Sequence, residues 1–349
     1  MTQIIGWDLG GANIKSACVL GGRVTSVTQT PCPAMQDRRK FDEAFGQALA
    51  GLPAPAGLHA VTMTGELSDV FGDRQEGVRY LSQMVETALS HVVVYAGRAG
   101  FVSPQDVADH VVDIASANWH ASAALAAQNC GDGLLVDIGT TTADLVPLRN
   151  GDQVASGYSD AERLHHGELV YTGVVRTPVM AIAQSVSFHG RTQRLAAERF
   201  ATMADVYRLS GELPEDADPY PTADQRGKSR EESAARLARM LGMDAADAAM
   251  SDWAALANDF ADRQLALLGE ATSQVLPKAG VPAGAPIVGA GCGRFLARRL
   301  AERLGRTYLD FADIIDADPS AREMAARCAP AVAVAMLAGG FSKRTPRDI

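Results

Sequence analysis

Cysteine and positive charge are both scarce in this chain of 349 residues. The five cysteines are scattered with no C-x-x-C pair, so neither a disulfide framework nor a cysteine-based zinc site is indicated. The net charge of −9 argues against a general nucleic-acid-binding surface, which needs a basic face to displace counterions. We therefore expect reduced, mostly buried thiols and no nucleic-acid partner.

Long hydrophobic runs are missing as well. The longest, APAVAVAMLAGG near the C-terminus, is too short to cross a bilayer, and the chain does not open with a basic segment followed by an apolar one. The mean hydropathy of −0.02 and the 47% hydrophobic content are ordinary for a globular protein. We expect a compact cytoplasmic protein that makes no contact with membranes.

Two segments of the chain repeat one plan. IIGWDLGGANIK, residues 4–15, is a strand that leads through Asp8 and a Gly-Gly pair into a second strand. GLLVDIGTTTADLVPL, residues 133–148, is a strand that leads through Asp137, a glycine and three threonines into a second strand. Backbone N–H groups and hydroxyls at such tips can bind phosphate, and carboxylates can hold a divalent cation. Two tips that face each other would clamp one ligand.

Alternating strands and helices predict an α/β fold, and the length suits two lobes. We predict lobe I at residues 1–130 and lobe II at 131–320, with a helical insertion at about 190–275 and a C-terminal helix at 321–349 that packs back on lobe I. The predicted strands lie at 3–9, 14–20, 23–28, 58–63 and 91–95, and the predicted helices lie at 74–90 and 116–128. A polar, proline-rich loop at 211–228 interrupts the insertion and is long enough to contact a substrate.

A third glycine-rich element lies near the end of the chain. GAGCGRFL, residues 289–296, carries Gly289, Gly291 and Gly293 at a strand-to-helix turn. Backbone without side chains can approach a phosphate or a flat ring there, and the following helix N-terminus favours negative charge. Such a turn also relieves steric clashes between a strand and a helix. Its position in the chain is therefore more informative than its glycine-rich sequence.

The two hairpins and the late glycine turn, in this order, resemble the superfamily of actin, sugar kinases and Hsp70. In that superfamily they are the phosphate-1 loop, the phosphate-2 loop and the adenosine or third-phosphate loop. The resemblance spans about residues 3–340. It implies an α/β, two-lobed, actin-like ATPase (ribonuclease H-like) fold with a ligand cleft between the lobes.

Finer features resemble one family within that superfamily. The segments are TMTGELSD (62–69), YAGRAGF (95–101), SANWHASA (116–123), GELVYTGVVRTPV (167–179) and ATMADVYRLSGEL (201–213), together with both hairpins. They look like the hydantoinase/oxoprolinase-related family of tetrahydromethanopterin-linked C1-transfer pathway proteins, which includes a condensing enzyme of methanofuran biosynthesis. The resemblance implies a biosynthetic transferase of methylofuran synthesis. It would join an aminomethyl-furan methyl diphosphate to the phenol of a γ-glutamyl tyramine or tyrosine-type acceptor, with diphosphate as leaving group.

The resemblance also implies roles for individual residues. Mg²⁺ is the expected cofactor, with Asp8 and Asp137 as metal ligands and catalytic residues and Asp144 as a third ligand. Lys15 is expected to contact the diphosphate or to face solvent. The remaining diphosphate-binding candidates are Gly10, Gly11, Asn13, Gly139, Thr140, Thr141, Thr142, Gly289, Gly291 and Gly293.

Other candidates carry two interpretations each. Arg176 would hold the diphosphate or a glutamyl carboxylate, or lies on the surface. Glu66, just after a predicted strand, is a candidate general base or a carboxylate that favours a helix start. Trp119 would stack on a furan or phenol ring, or belongs to the core.

Three polar residues of the helical insertion are weaker candidates for contact with the substrate. Asp205, Tyr207 and Asp224 would close over the substrate, or simply belong to an ordinary helix and loop. The adjacent His165 and His166 point in different directions and do not form an i, i+4 metal pair, so we expect them to be surface or loop residues.

The main alternative to a transferase is an ATP-dependent small-molecule kinase or ATPase of the same fold, with adenine at the glycine turn and ATP as ligand. A non-catalytic nucleotide-binding scaffold is the alternative of a different class. The partners that the resemblance implies are small-molecule diphosphate and phenolic acceptor substrates. A homodimer is compatible with the sequence, which leaves the acceptor and the oligomeric state open.

Overall fold

The computed structural model describes residues 3–34, 37–52 and 57–341. The strands in these ranges are β1 (Gln3–Leu9), β2 (Asn13–Leu20), β3 (Arg23–Pro31), β4 (Leu58–Met63), β5 (Val92–Tyr95), β6 (Phe101–Val102), β7 (Gly133–Ile138), β8 (Ala143–Arg149), β9 (Asp152–Gln153), β10 (Leu169–Val170), β11 (Ser185–Phe188), β12 (Arg191–Arg194), β13 (Ile287–Ala290) and β14 (Tyr308–Asp310). The helices are α1 (Arg39–Ala50), α2 (Arg74–Ala88), α3 (Val111–Ile114), α4 (Asn118–Cys130), α5 (Asp160–His166), α6 (Met203–Ser210), α7 (Arg230–Met240), α8 (Met250–Ala279), α9 (Arg294–Arg303), α10 (Arg322–Arg327) and α11 (Ala329–Phe341).

The first sheet has the strand order β3-β2-β1-β4-β5-β6. β1, β2 and β3 are antiparallel neighbours, whereas β1, β4 and β5 run parallel. β1 is central and buried on both faces, which explains its nearly continuous apolar run. The three opening strands predicted from alternation and turn residues are confirmed, although β3 continues to Pro31.

The second sheet repeats this topology. Its order is β10-β8-β7-β13-β14, with β9 paired to β8. β7 and β8 form an antiparallel hairpin, and β7, β13 and β14 run parallel, as β1, β4 and β5 do in the first sheet. Because the two hairpins hold equivalent places, each sheet presents its hairpin tip at the carboxyl end of its parallel strands. Ligands gather at that edge in α/β folds.

Two alanine-rich helices lie between the sheets. α11 packs against β1, β2 and β4 and also against α4, which packs on β7, β8 and β9. α4 therefore contacts the second sheet, although its residues fall within the predicted lobe at 1–130. Small side chains let these layers approach closely: a Cβ on Gly6 would lie 2.0 Å from the carbonyl oxygen of Ala331. The predicted C-terminal helix is two helices, α10 and α11, and residues 342–349 lie outside the described ranges.

The predicted helical region at 190–275 contains α6, α7 and α8, but it opens with a strand. β12 pairs with β11 around a turn at His189 and Gly190, whose φ values are 48° and 72°. Two consecutive residues with positive φ form the tight turn of a hairpin. The His-Gly pair is the only local sign of this turn in a region where the sequence pattern predicts helix. Within the described ranges, no helix combines the length and apolarity needed to cross a membrane.

Candidate functional site

The two hairpin tips face each other across a cavity of about 470 Å³. Most of the residues predicted to bind diphosphate or metal line this cleft. They are Asp8, Gly10, Gly11, Asn13, Lys15, Asp137, Gly139, Thr140, Thr141, Thr142, Asp144, Arg176 and Gly291. Residues that are 129 positions apart in sequence, such as Asp8 and Asp137, therefore belong to one site.

The first tip contains an internal ion pair. Asp8 lies directly across the hairpin from Lys15, and the Lys15 Nζ donates to Asp8 Oδ2 at 3.0 Å. Burial works to lower the pKa of Lys15, but the nearby charges of Asp8, Cys328 and Asp137 outweigh it, and the pKa of Lys15 is raised. The second oxygen, Asp8 Oδ1, is buried and has no hydrogen-bond partner among the described residues. One carboxylate oxygen at this tip is thus available to a ligand.

The second tip places two carboxylates opposite each other. Asp137 lies across the hairpin from Asp144, at the positions that Asp8 and Lys15 occupy in the first. Burial, and then the charge of Asp144, raise the pKa of Asp137 to about 7, while Lys15 works in the opposite direction and Asp8 adds to the rise. A cation near Asp137 would relieve this unfavourable charge.

The segment 173–177 supports the second tip from outside. The backbone N–H groups of Val175 and Arg176 donate to the carbonyl oxygen of Thr140 at 3.2 and 2.8 Å. Gly173 lies so close that a Cβ there would be 2.4 Å from the Thr140 carbonyl carbon. These backbone contacts fix the position of Arg176 beside the second tip, and its exposed side chain lines the cleft.

Arg163 is a cleft residue that the sequence analysis missed. Its side chain is buried, and its guanidinium donates to Asp144 Oδ1 at 2.9 Å and to the carbonyl oxygen of Glu168 at 3.0 Å. It also lies over the Trp119 ring, 3.9 Å from the ring centroid. Trp119 is itself buried, as its core interpretation expects, and it also borders the cleft. With Asp144 bound to Arg163, Asp8 and Asp137 remain the stronger candidates for metal ligands.

Arg327 is a second missed residue of the cleft. It ends α10, is largely buried, and donates to both oxygens of Asp216 at 2.8 and 3.0 Å. A lone arginine between two alanine-rich helices offers no signal that distinguishes it from a surface residue. Only the packing of α10 next to the glycine turn brings it to the site.

Three predicted site residues do not line the cleft. Glu66 is buried behind the first tip, where its Oε1 accepts from the backbone N–H of Ser116 at 2.8 Å. Burial raises the pKa of Glu66 to about 7. A Cβ on Gly289 would meet the Tyr308 ring at 2.5 Å, and one on Gly293 would meet Ile138 at 2.6 Å. The two outer glycines of the turn thus serve packing, whereas Gly291, with φ 82°, approaches Asp137.

Asp205, Asp224 and Tyr207 have protein partners away from the cleft. Asp205 pairs with Arg236 at 2.8 Å, and Asp224 pairs with the same arginine at 3.1 Å. The Tyr207 hydroxyl donates to Gln264 at 2.6 Å inside the core. His165 and His166 lie near the end of α5, outside the cleft lining, with ring centroids 5.0 Å apart. Their ordinary helix and loop interpretations describe them.

The donor set suits a cation that is shared with a ligand. Across residues 3–34, 37–52 and 57–341, no group of three or more His, Cys, Asp or Glu side chains is arranged to hold a metal ion alone. Mg²⁺ is usually held by one or two carboxylates together with water and substrate phosphates rather than by an all-protein cage. Asp8 and Asp137 fit that pattern.

The chain is similar in sequence to proteins of known family. The model of the hydantoinase/oxoprolinase family matches residues 58–337. The chain is 30% identical over 244 residues to a (4-{4-[2-(gamma-L-glutamylamino)ethyl]phenoxymethyl}furan-2-yl)methanamine synthase from Methanocaldococcus jannaschii, which covers 69% of this chain and 72% of that enzyme. A synthase of the same name from Methanococcus vannielii is 31% identical over 117 residues, or 34% of this chain and 51% of that enzyme.

Solved structures share the fold at low sequence identity. A ROK family glucokinase from Streptomyces griseus, in complex with glucose and AMPPNP, has a TM-score of 0.50 and 15% identity and covers 96% of this chain and 98% of its own. A nucleotide-free acetone carboxylase has a TM-score of 0.52 and 11% identity and covers 87% of this chain and 67% of its own. These likenesses confirm the predicted actin-like α/β fold, and the family match confirms the predicted kinship: the chain belongs to the hydantoinase/oxoprolinase family.

Proposed function

We propose that this chain is a transferase that forms an aryl-alkyl ether in methylofuran (methanofuran-like) cofactor synthesis. The donor would be an aminomethyl-furan methyl diphosphate and the acceptor the phenol of a γ-glutamyl tyramine or tyrosine. The name of the Methanocaldococcus relative describes a product in which a phenoxymethyl ether joins a furan-methanamine to a γ-glutamylaminoethyl group. An identity of 30% across 72% of that enzyme supports the same kind of product here.

The observation that carries the proposal is the pair of carboxylates on facing hairpin tips. Asp8 has a buried oxygen without a partner among the described residues, and Asp137 has a pKa raised to about 7. A divalent cation bound there would give Asp8 Oδ1 a partner and would favour the ionised form of Asp137. Asp8 and Asp137 would hold Mg²⁺, directly or through water, together with the diphosphate of the donor. The bound metal would supply neutralisation of the charge that develops on the leaving diphosphate.

The tips also contain groups suited to a diphosphate. Backbone N–H groups near Gly10 and Gly11 and the hydroxyls of the three threonines would donate to phosphate oxygens. Lys15 would add a positive charge beside them while it remains paired with Asp8. Such donors, already fixed in place, stabilise a departing anion without a further cost of reorganisation.

The bond changes are a substitution at one carbon. The bond between the furan-methyl carbon and the diphosphate oxygen breaks, and both electrons leave with the diphosphate. The phenol oxygen then forms the new ether bond to that carbon, and its proton passes to the departing diphosphate. The chain would accelerate this step by positioning the two substrates and by stabilising the leaving group.

The alternative, an ATP-dependent kinase or ATPase, is less well supported at the glycine turn. An adenine ring at this turn would need open space beside the glycines. Tyr308 and Ile138 instead lie against Gly289 and Gly293. The Tyr308 ring is in turn covered by the guanidinium of Arg298, at 4.2 Å from the ring centroid.

The decisive experiment measures diphosphate release by the purified protein. The assay contains Mg²⁺, the furan-methyl diphosphate and γ-glutamyl-tyramine, and ATP hydrolysis is measured in parallel. We expect diphosphate and ether product only when the acceptor is present, with both lost in Asp8→Asn and Asp137→Asn and retained in Asp262→Asn, an exposed carboxylate on α8. Turnover of ATP alone would overturn the proposal in favour of the kinase or ATPase.

A further inference from the structure

A second cavity opens beside the cleft. It has a volume of about 230 Å³ and shares Gly11, Ala12 and Arg176 with the cleft. This volume is below the range of about 300–1,000 Å³ that encloses a whole drug-sized ligand. The side cavity is therefore suited to one end of a longer molecule whose other end lies between the hairpin tips.

The walls of the side cavity contain acidic groups that are already neutralised. Asp205 and Asp218 both bind Arg208. Arg236 adds a second partner to Asp205 at 2.8 Å, and Lys228 adds one to Asp218 at 3.8 Å. These carboxylates have little remaining attraction for a cation.

Two arginines of the side cavity have no such partner. Within the part of the chain that the structure describes, the guanidinium groups of Arg176 and Arg199 make no ion pair, and both side chains are exposed. Arg176 stands where the two cavities join, and its charge helps to lower the pKa of Tyr220, although burial raises that pKa overall. The uncommitted charge of this cavity is thus positive and suits a carboxylate, which a guanidinium can bind through two parallel hydrogen bonds.

Apolar surface connects these arginines to the cleft. Pro33, Val175 and Pro221 line the cavity, and the Tyr220 hydroxyl donates to the carbonyl oxygen of Ala12 at the first hairpin tip. This bond connects the polar loop to the predicted phosphate-binding tip. A ligand that passes from the tip to the arginines would therefore cross an apolar wall, which suits an aromatic or alkyl spacer.

We propose that the side cavity binds the amino-acid end of the phenolic acceptor, with Arg199 as the main anchor of its α-carboxylate. This inference rests on the proposed function and adds the position and direction of the second substrate. The phenol oxygen lies toward the hairpin tips and the ethyl spacer crosses the apolar wall, with the γ-glutamyl carboxylate beside Arg199. The site thereby prefers an acceptor that already carries its amino acid over free tyramine.

The test compares two acceptors in two variants. Arg199→Gln removes the charge, and Arg194→Gln, an exposed arginine of β12 outside both cavities, is the matched control. In Arg199→Gln we expect kcat/KM for γ-glutamyl-tyramine to fall about tenfold or more, as for loss of a hydrogen-bonded charge pair. Free tyramine, which has no carboxylate, should change less than about twofold, and Arg194→Gln should change neither. An equal loss for both acceptors, or no loss for either, would overturn the subsite.

A binding measurement separates this inference from the proposed reaction. Calorimetry with Mg²⁺ and diphosphate present gives the Kd of γ-glutamyl-tyramine and of tyramine without turnover. If Arg199→Gln weakens the binding of γ-glutamyl-tyramine but not that of tyramine, the subsite is supported. This holds even if the wild-type protein forms no ether, a result by which the proposed function itself would fail. Equal Kd values for wild type and variant reject the subsite, whether or not ether forms.

Discussion

The two hairpins of this protein share one backbone plan but differ in charge. Asp8 and Lys15 face each other in the first, and Asp137 and Asp144 face each other at the same register in the second. The first tip thus contains its own counter-charge, whereas the second contains two like charges, of which Asp144 is neutralised by Arg163. The difference shows that a repeated fold unit need not repeat its chemistry, and that the site is completed only when the two units face each other.

The strands next to the hairpins differ in a related way. Beyond the end of β4, a short turn carries Glu66 into the interior, while β13 ends in a turn with Gly291 at the cleft. Two residues before each tip aspartate, β1 has Gly6 and β7 has Leu135. The backbone of α11 at Ala331 therefore lies close to β1 at Gly6, whereas the buried Leu135 side chain fills the equivalent space beside β7.

The largest expected effect comes from replacing the two tip aspartates, which should have similar effects on activity but opposite effects on stability. Both Asp8→Asn and Asp137→Asn should lower the rate of acceptor-dependent diphosphate release by roughly 10²- to 10³-fold, because each removes charge from the leaving-group site. Their effects on stability should differ in sign. Without Mg²⁺, Asp8→Asn leaves Lys15 without its partner and lowers the unfolding temperature, whereas Asp137→Asn removes a repulsion and raises it.

Thermal unfolding in EDTA, next to the activity assay, checks this pair of outcomes. Asp262→Asn should leave both quantities unchanged. Equal destabilisation by the two tip variants would mean that the charge difference between the hairpins has no energetic consequence.

The next effect concerns packing against the central hairpin strand of each sheet, at Gly6 of β1 and at Leu135 of β7. Gly6→Ala would place a methyl group 2.0 Å from the Ala331 carbonyl oxygen, so α11 must move away from β1. We expect a loss of about 1–3 kcal/mol or more in the free energy of unfolding, as for overpacked cores. Leu135→Ala at the equivalent position of β7 should instead cost about 2–5 kcal/mol through a cavity. Denaturant unfolding of both variants checks this; a neutral Gly6→Ala would contradict the close approach of α11.

Much of the fold could be predicted because its signals are local. Apolar alternation and the turn residues indicated the strands of both hairpins, and the repeat of Asp and Gly between strands indicated that they are equivalent. Asp8, Asp137 and the threonine tip followed from that repeat. In each case the position along a strand decides where the side chain points.

The missed parts depend on contacts between distant segments. Arg163 reaches the cleft because α5 packs against β10, the strand that pairs with β8. No local pattern marks an arginine in a helix as a partner of Asp144. Glu66 and Gly293 match the local signals of a site, but Ser116 and Ile138, which are far away in sequence, occupy the space around them. Local sequence predicts which backbone turns are possible, and tertiary packing decides which of them face the ligand.

Glu66 provides a third prediction, on the buried acid behind the first tip. Its pKa is raised from 4.5 to about 7 by burial, so the folded state binds a proton more tightly than the unfolded chain. Stability should fall as the pH rises from about 4.5 to 7 and then level off, with a total loss of up to roughly 3 kcal/mol. Glu66→Gln should remove this slope, so the variant gains on the wild type at pH 8 relative to pH 4.

Unfolding free energies measured across this pH range check the expected slope. Glu302→Gln, at an exposed position of α9, is the control and should keep the wild-type profile. Parallel curves for Glu66→Gln and wild type would contradict a titrating buried Glu66. A large fall in kcat for Glu66→Gln, together with an unchanged KM, would restore its interpretation as a general base.

The smallest effect tests the hydroxyls that only the second tip possesses. The first tip offers glycines and an asparagine, whereas the second has three consecutive threonines, of which Thr140 and Thr141 have hydroxyl oxygens 3.5 Å apart. Thr141→Val keeps the shape of the side chain and removes one donor to a phosphate oxygen. A hydrogen bond to a charged group is worth about 1.5–3 kcal/mol, so KM for the diphosphate donor should rise about tenfold or more. The KM of the phenolic acceptor should stay the same, because only the donor is expected to contact this tip. Steady-state kinetics with each substrate varied in turn measures both constants, and an equal rise in both would show that the second tip does not distinguish leaving group from acceptor.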